Sequence, residues 1–127
     1  MTKKLEKILL AEDEEDIRTI AQIALEDIGQ LQAEFCASGQ EVLNKVDSFR
    51  PDLIILDVMM PGMDGVATFH ALQKKPEFAK IPVIFMTAKV QSTEILSYKE
   101  MGALEVIAKP FDPMTLADQI QSIWKSQ

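Results

Sequence analysis

Residues 52–65 read DLIILDVMMPGMDG, and the fold turns on how that stretch is taken. Leu53, Ile54, Ile55 and Leu56 follow one another without a polar break, and the run stops at Asp57. A strand with one wet face alternates apolar and polar residues, whereas a short unbroken run is the pattern of a strand covered on both sides, as in the middle of a parallel sheet. Pro61 and Gly62 then mark a turn. Asp64 stands where a side-chain oxygen can accept the unpaired N–H groups of a helix start, ahead of the apolar positions Val66, Phe69 and Leu72. The unit is strand, turn, helix.

The same unit recurs on both sides of that stretch. Apolar runs at KILLAE (7–12), QAEFCA (32–37), PVIFMT (82–87) and EVIAK (105–109) read as four more strands around DLIILD (52–57). Between them, Ile17, Ile20, Ala21, Ala24, Leu25 and Ile28 recur at helical spacing, with Gly29 placed to close the helix. Ser38 and Glu41 have the spacing of a capping box ahead of Val42, Val46 and Phe49. A fourth helix is centred on Ile95, Leu96 and Tyr98, and a fifth carries Leu116, Ile120, Ile123 and Trp124. Strand and helix alternate five times, which predicts an α/β fold with a parallel sheet, right-handed crossovers and helices on both faces.

A length of 127 residues, 47% of them hydrophobic, suits one domain with a real core, and a single domain over 1–127 is expected. The formal net charge of −7 argues against nucleic acid, whose backbone calls for clustered Lys and Arg. Cys36 is the one cysteine, so an intramolecular disulfide and a thiolate metal cluster are excluded, and a reducing cytoplasm suits the chain. The basic opening MTKKLEK leads only into ILLA, too short for a signal peptide, and no apolar stretch of about 18 residues follows. A soluble protein with no membrane contact is expected.

Ligands of parallel α/β sheets lie beyond the carboxyl ends of the strands. Those ends carry Glu12 and Asp13, Asp57, Thr87 and Lys109, distant in sequence and gathered by the topology around one crevice. Asp13 and Asp57 on adjacent strand ends would repel unless a cation lay between them, and hard carboxylate oxygens suit Mg²⁺. The acidic run AEDEED (11–16) then divides in two. Glu12 and Asp13 belong to the crevice, while Glu14, Glu15 and Asp16 fall in the first turn of a helix, where the macrodipole favours them, and Glu14 can pair with Arg18.

Taken together and in order, the acidic pair Glu12 and Asp13, LIILDVMMPGMDG around Asp57, MTA at 86–88 and KPF at 109–111 resemble the receiver domain of two-component response regulators. The likeness is to the single-domain chemotaxis type, over essentially the full length. It implies a flavodoxin-like receiver fold, a five-stranded parallel sheet in the order 2-1-3-4-5 with five helices. It implies Asp57 as phosphoacceptor, Mg²⁺ held by Asp13, Asp57 and the carbonyl of Met59, and Glu12 holding a metal-bound water. Lys109 supplies the balancing cation, Thr87 a hydroxyl and Ala88 a backbone N–H for phosphoryl oxygens, with a cis bond before Pro110. The expected donor is a sensor histidine kinase or a histidine phosphotransfer protein. The expected output is a downstream protein bound on the face of helix four, strand five and helix five, by a monomer or a phosphorylation-dependent dimer. The only catalysis expected is of its own phosphorylation and dephosphorylation, and no output domain is expected after IWKSQ.

Two positions depart from the family pattern. Val106 stands where a switching Tyr or Phe is common, and Met59 and Lys89 flank the path of hydrolytic water, where they can shield the acyl phosphate. The alternatives are a phosphorylation-independent adaptor on the same fold and an aspartyl-phosphate phosphatase, whose second acid would fall at Met59. A flavin carrier is disfavoured, because the acidic first loop would repel a flavin phosphate. His70 reads as a solvated helix residue, Met59, Met60 and Met63 as packing around the PG turn, and Cys36 as buried and inert.

Overall fold

The computed structural model describes residues 3–88 and 90–127. In chain order it contains β1 (Lys7–Ala11), α1 (Glu15–Gln22, continued by a π-helical segment Ile23–Ile28), β2 (Gln32–Cys36), α2 (Gly39–Phe49), β3 (Leu53–Asp57), α3 (Gly65–Gln73), α4 (Pro76–Ala79), β4 (Val83–Thr87), α5 (Ser92–Met101), β5 (Glu105–Ala108) and α6 (Leu116–Lys125). The strands form one parallel sheet in the order β2-β1-β3-β4-β5, as expected. Among the described residues there are six helices where five were expected. The extra one is α4, four residues opened by Pro76 at its first turn, too short to leave a periodic signal. Helices four and five of the sequence reading are therefore α5 and α6.

β3 and β4 are buried along their whole length, which is why their sequences do not alternate. Each face of the sheet carries its own core. On one side Ile8, Leu10, Ile55, Ile84 and Met86 meet Ala21, Ala24 and Leu25 of α1 and Leu116, Ile120 and Trp124 of α6. On the other, Leu9, Ile54, Leu56 and Phe85 meet Val42 and Val46 of α2 and Phe69 and Leu72 of α3, with Tyr98 and Met101 of α5 packed at its margin. The Trp124 indole N–H donates to the Lys3 carbonyl at 2.6 Å, clasping the chain's two ends. Asp52 does similar work before β3, accepting from the Lys3 ammonium at 2.6 Å and from the Glu6 and Lys7 N–H groups at 3.0 and 2.9 Å.

The caps are where the sequence places them, with one change of partner. The Ser38 hydroxyl accepts from the Glu41 N–H at 3.2 Å, and the Asp64 carboxylate from the Ala67 N–H at 2.8 Å. Glu41 reaches back to the N–H of Ala37, one residue before the cap residue itself. In α1 the expected apolar stripe is only half right. Ala21, Ala24 and Leu25 are buried, but Ile20 and Ile28 are exposed, because the small alanines and not the isoleucines form the face that lies on the sheet. Gly29 does end this helix, though with an ordinary right-handed backbone (φ −82°), while Gln30 takes the left-handed turn (φ 58°). Glycine is needed there for space, since a Cβ would lie 2.6 Å from that of Ala117.

Candidate functional site

β1 and β3 are neighbours in register, so the residues just past β1 and the last residue of β3 emerge side by side. Glu12, Asp13 and Asp57 accordingly offer carboxylate oxygens that all lie within 4.8 Å of one another. Glu12 and Asp57 are buried at 0% and 2% exposure, with Asp13 at the outer rim. β5 lies two strands from β3, and the long Lys109 side chain spans that gap. Its ammonium donates to Glu12 Oε1 at 2.6 Å and to Asp57 Oδ2 at 3.1 Å. The Lys109 N–H also donates to the Thr87 carbonyl at 2.9 Å, and the Lys109–Pro110 bond is cis, as expected.

Each buried carboxylate has a second partner. Glu12 Oε2 accepts from the Glu14 N–H at 3.1 Å, and Asp57 Oδ1 from the Met59 N–H at 3.3 Å. Burial disfavours the Lys109 ammonium, but hydrogen bonds and charge from Glu12 and Asp57 outweigh it and hold its pKa above the ordinary lysine value. Thr87 is buried at the end of β4 and Ala88 follows it at the surface, so both border the crevice. Gly65 opens α3 against the back of this site, and any side chain there would collide with the carbonyl oxygen of Asp57.

Several expectations need correction. Arg18 does not pair with Glu14; its guanidinium donates to the carbonyl oxygens of Glu12 and Asp13 at 2.8 and 3.0 Å, bracing the acidic loop. Spacing alone could not separate that use from an i,i+4 ion pair. Of the methionines, Met60 is buried, but Met59 is 76% exposed and so contributes little to packing around the turn, its main chain tied to Asp57 by the N–H bond. His70 is exposed on α3 and Cys36 is buried, both as read, and burial pushes the Cys36 thiol up to about 11. Lys89 lies outside the described residues.

The donor set fits a hard divalent cation. Three carboxylates converge while, among the described residues, one ammonium pairs with two of them, leaving a net charge of about −2 for an ion such as Mg²⁺ to offset. Asp13 at the rim gives such an ion a route in, and its oxygen donors are of the type Mg²⁺ prefers.

Known proteins fit this geometry. The response regulator receiver domain model matches residues 8–121. PhoP of Bacillus subtilis, the alkaline phosphatase synthesis transcriptional regulatory protein, is 34% identical over 117 residues, which are 92% of this chain and 48% of that protein. The probable transcriptional regulator ycf27 of Cyanidium caldarium is 36% identical over 121 residues, 95% of this chain and 47% of that one. The chain thus spans about half the length of the curated relatives it matches. Among solved structures, the Vibrio cholerae chemotaxis protein CheY4 superposes with a TM-score of 0.84 at 31% identity, covering 94% of this chain and 99% of its own. The receiver domain of Francisella response regulator 1452 gives 0.83 at 25% identity, with 95% and 98% covered. With that model spanning nearly all of the sheet and its crevice, this chain belongs to the response regulator receiver domain family.

Proposed function

We propose that this single receiver unit, residues 1–127, takes a phosphoryl group from the phosphohistidine of a sensor kinase or a phosphotransfer protein onto Asp57. The observation that carries the reading is the clustering of Glu12, Asp13 and Asp57 at the carboxyl end of the sheet, with Lys109 bonded to Glu12 and Asp57. An Asp57 oxygen forms the new O–P bond as the P–N bond of the donor breaks, and the imidazole leaves. Asp13, Asp57 and the Met59 carbonyl would hold Mg²⁺, with Glu12 oriented toward a water. When bound, that ion offsets charge on the transferring phosphoryl oxygens. Lys109 pairs with the phosphoryl group on its other side, and the Thr87 hydroxyl and Ala88 N–H donate to the remaining oxygens.

The output is a protein contact on the face of α5, β5 and α6, where Leu96 stands 57% exposed. Met59, two residues past Asp57, offers no general acid, so turnover of other phosphoesters is not part of the function. The state is a monomer or a dimer formed on phosphorylation, acting in the cytoplasm, with no membrane and no nucleic acid contacted by this unit. Among the described residues, no helix is long and apolar enough to cross a membrane.

Incubation with Mg²⁺ and acetyl phosphate, read by intact mass, tests the reading. A single phosphate adduct is expected in wild type and none in Asp57→Asn or in chelator. Wild type that stays unmodified, or Asp57→Asn that carries the adduct, overturns it.

A further inference from the structure

The short link 12–14 joins β1 to α1 and carries two of the three clustered carboxylates, those of Glu12 and Asp13. The helix that follows starts without the usual device, since its N-cap residue Glu14 makes no side-chain cap bond. Glu12 is tied from three directions. Its N–H donates to the Cys36 carbonyl at 3.0 Å, its Oε2 accepts from the Glu14 N–H, and its Oε1 accepts from the Lys109 ammonium. Asp13 is different. Among the described residues no group hydrogen-bonds its carboxylate, so the direction of that carboxylate is governed by how its own main chain is held.

Arg18 holds that main chain. A helical side chain leans toward the N-terminal end of its helix, so Arg18, one turn into α1 and half-buried, reaches back over the first turn. Its Nη1 donates to both the Glu12 and the Asp13 carbonyls, at 2.8 and 3.0 Å. A cation near a helix N-terminus is opposed by the macrodipole, so stabilising α1 does not account for an arginine here. Bonding to carbonyls keeps the carboxylates available. A guanidinium on the Asp13 carboxylate would compete with a divalent ion for its lone pairs, whereas one on the carbonyl behind it leaves those oxygens open. Arg18 also adds positive charge beside three carboxylates whose oxygens lie within 4.8 Å of one another, which lowers their mutual repulsion without taking a ligand position.

We propose that Arg18 is a positioning residue for the cation site: by pinning the Glu12 and Asp13 carbonyls, it presents the Asp13 carboxylate to a divalent ion before that ion arrives. The inference rests on the Mg²⁺ reading above. A loop without this tether has to be ordered at the moment of binding, and that cost is read as weaker affinity. Groups that hold a metal ligand from behind govern affinity by about 10- to 100-fold.

Calorimetric titration of the full chain with MgCl₂, without a phosphodonor, tests this in wild type, Arg18→Ala, Arg18→Lys and Arg50→Ala, with circular dichroism checking that each variant is folded. Arg18→Ala should raise the Mg²⁺ Kd by about tenfold or more. Arg18→Lys keeps the charge but loses the planar fork, so its Kd should fall between those of wild type and Arg18→Ala. Arg50 lies before β3, at the opposite end of the sheet from Asp57. Its replacement by alanine removes the same net charge from more than a Debye length away, and should leave the Kd within about twofold of wild type. Wild type that takes up Mg²⁺ beside an Arg18→Ala that binds within about twofold of it overturns the proposal and leaves the metal reading standing. Wild type that takes up no Mg²⁺ at millimolar concentration removes both. Equal affinity in Arg18→Lys and wild type shows that charge alone suffices and overturns the positioning role, as does an Arg50→Ala weakened as much as Arg18→Ala. Should Arg18→Ala fail to fold, the Arg18→Lys titration decides by the same criterion.

Discussion

Lys109→Ala tests how the crevice is held together before any phosphate arrives. The ammonium is the shared partner of two carboxylates that are 0% and 2% exposed, and its own side chain is 17% exposed, so solvent screens the group little. Removing one member of a buried pair costs about 3–5 kcal/mol, because a charge is left without a partner. Water can enter from the Asp13 side, which points to the lower end, about 3 kcal/mol. At roughly 2.1 cal/mol/K per residue, a chain of 127 residues has an unfolding entropy of about 270 cal/mol/K, so the melting temperature should fall by about 11 °C in chelator. A divalent ion at about 100 times its Kd returns about 2.7 kcal/mol, or about 10 °C. Thermal unfolding by circular dichroism, in chelator and in saturating Mg²⁺, measures both. Adding Glu12→Gln should recover most of the loss without metal. Because Glu12 and Asp57 hold the folded Lys109 pKa above 10.5, its contribution is complete below the unfolded value and fades as pH rises through the folded one. The gap between wild type and variant should therefore be flat from neutral pH to about 9 and close above 10.5. A melting temperature within about 2 °C of wild type in chelator, or a double variant no more stable than the single one, would refute the reasoning.

Four further outcomes follow from other parts of the molecule. Gly65→Ala should destabilise by about 1–3 kcal/mol and slow adduct formation, since its side chain displaces the Asp57 main chain; urea unfolding and mass spectrometry read the two effects. Asp52→Ala should cost about 2 kcal/mol at neutral pH through the lost charged hydrogen bonds. Burial opposes the Asp52 carboxylate, but Lys3 and two N–H groups prevail and lower its pKa, so this contribution is present above 3.8 and disappears as pH falls through the folded value. Cys36, buried with its thiol at about 11, should resist alkylation at pH 8 in the native protein and react readily in denaturant. Met59→Asn should shorten the lifetime of the adduct by a factor on the order of ten, a barrier change of about 1.4 kcal/mol, and an unchanged decay removes the shielding role.

The sheet was legible because LIIL and VIF are unbroken apolar runs ended by polar residues, a pattern few other environments produce. The crevice was legible because strand-end position is a topological property: once the runs were placed, Asp57 and Lys109 stood at strand ends on the same edge of the sheet, and the long lysine reaches the carboxylate. The rest was hidden for local reasons. Periodicity marks Ile20 as a core candidate, but it cannot say that Ala21 and Ala24 win the face because small residues let α1 approach. A four-residue helix such as α4 has no period to detect, though Pro76 is a start signal in retrospect. Arg18 illustrates a third limit, since an arginine beside five carboxylates gives no hint that it will choose carbonyl oxygens.

The clasp of Trp124 on Lys3 makes the order of synthesis separable from the order in space. A gene in which a short glycine-serine bridge joins these neighbouring ends, reopened between the exposed Lys74 and Lys75, would translate β4 and β5 before β1 while keeping every strand beside the same neighbours. Such a rearranged polypeptide isolates the influence of the ribosome's direction of travel on assembly, a variable that ordinary substitutions leave untouched.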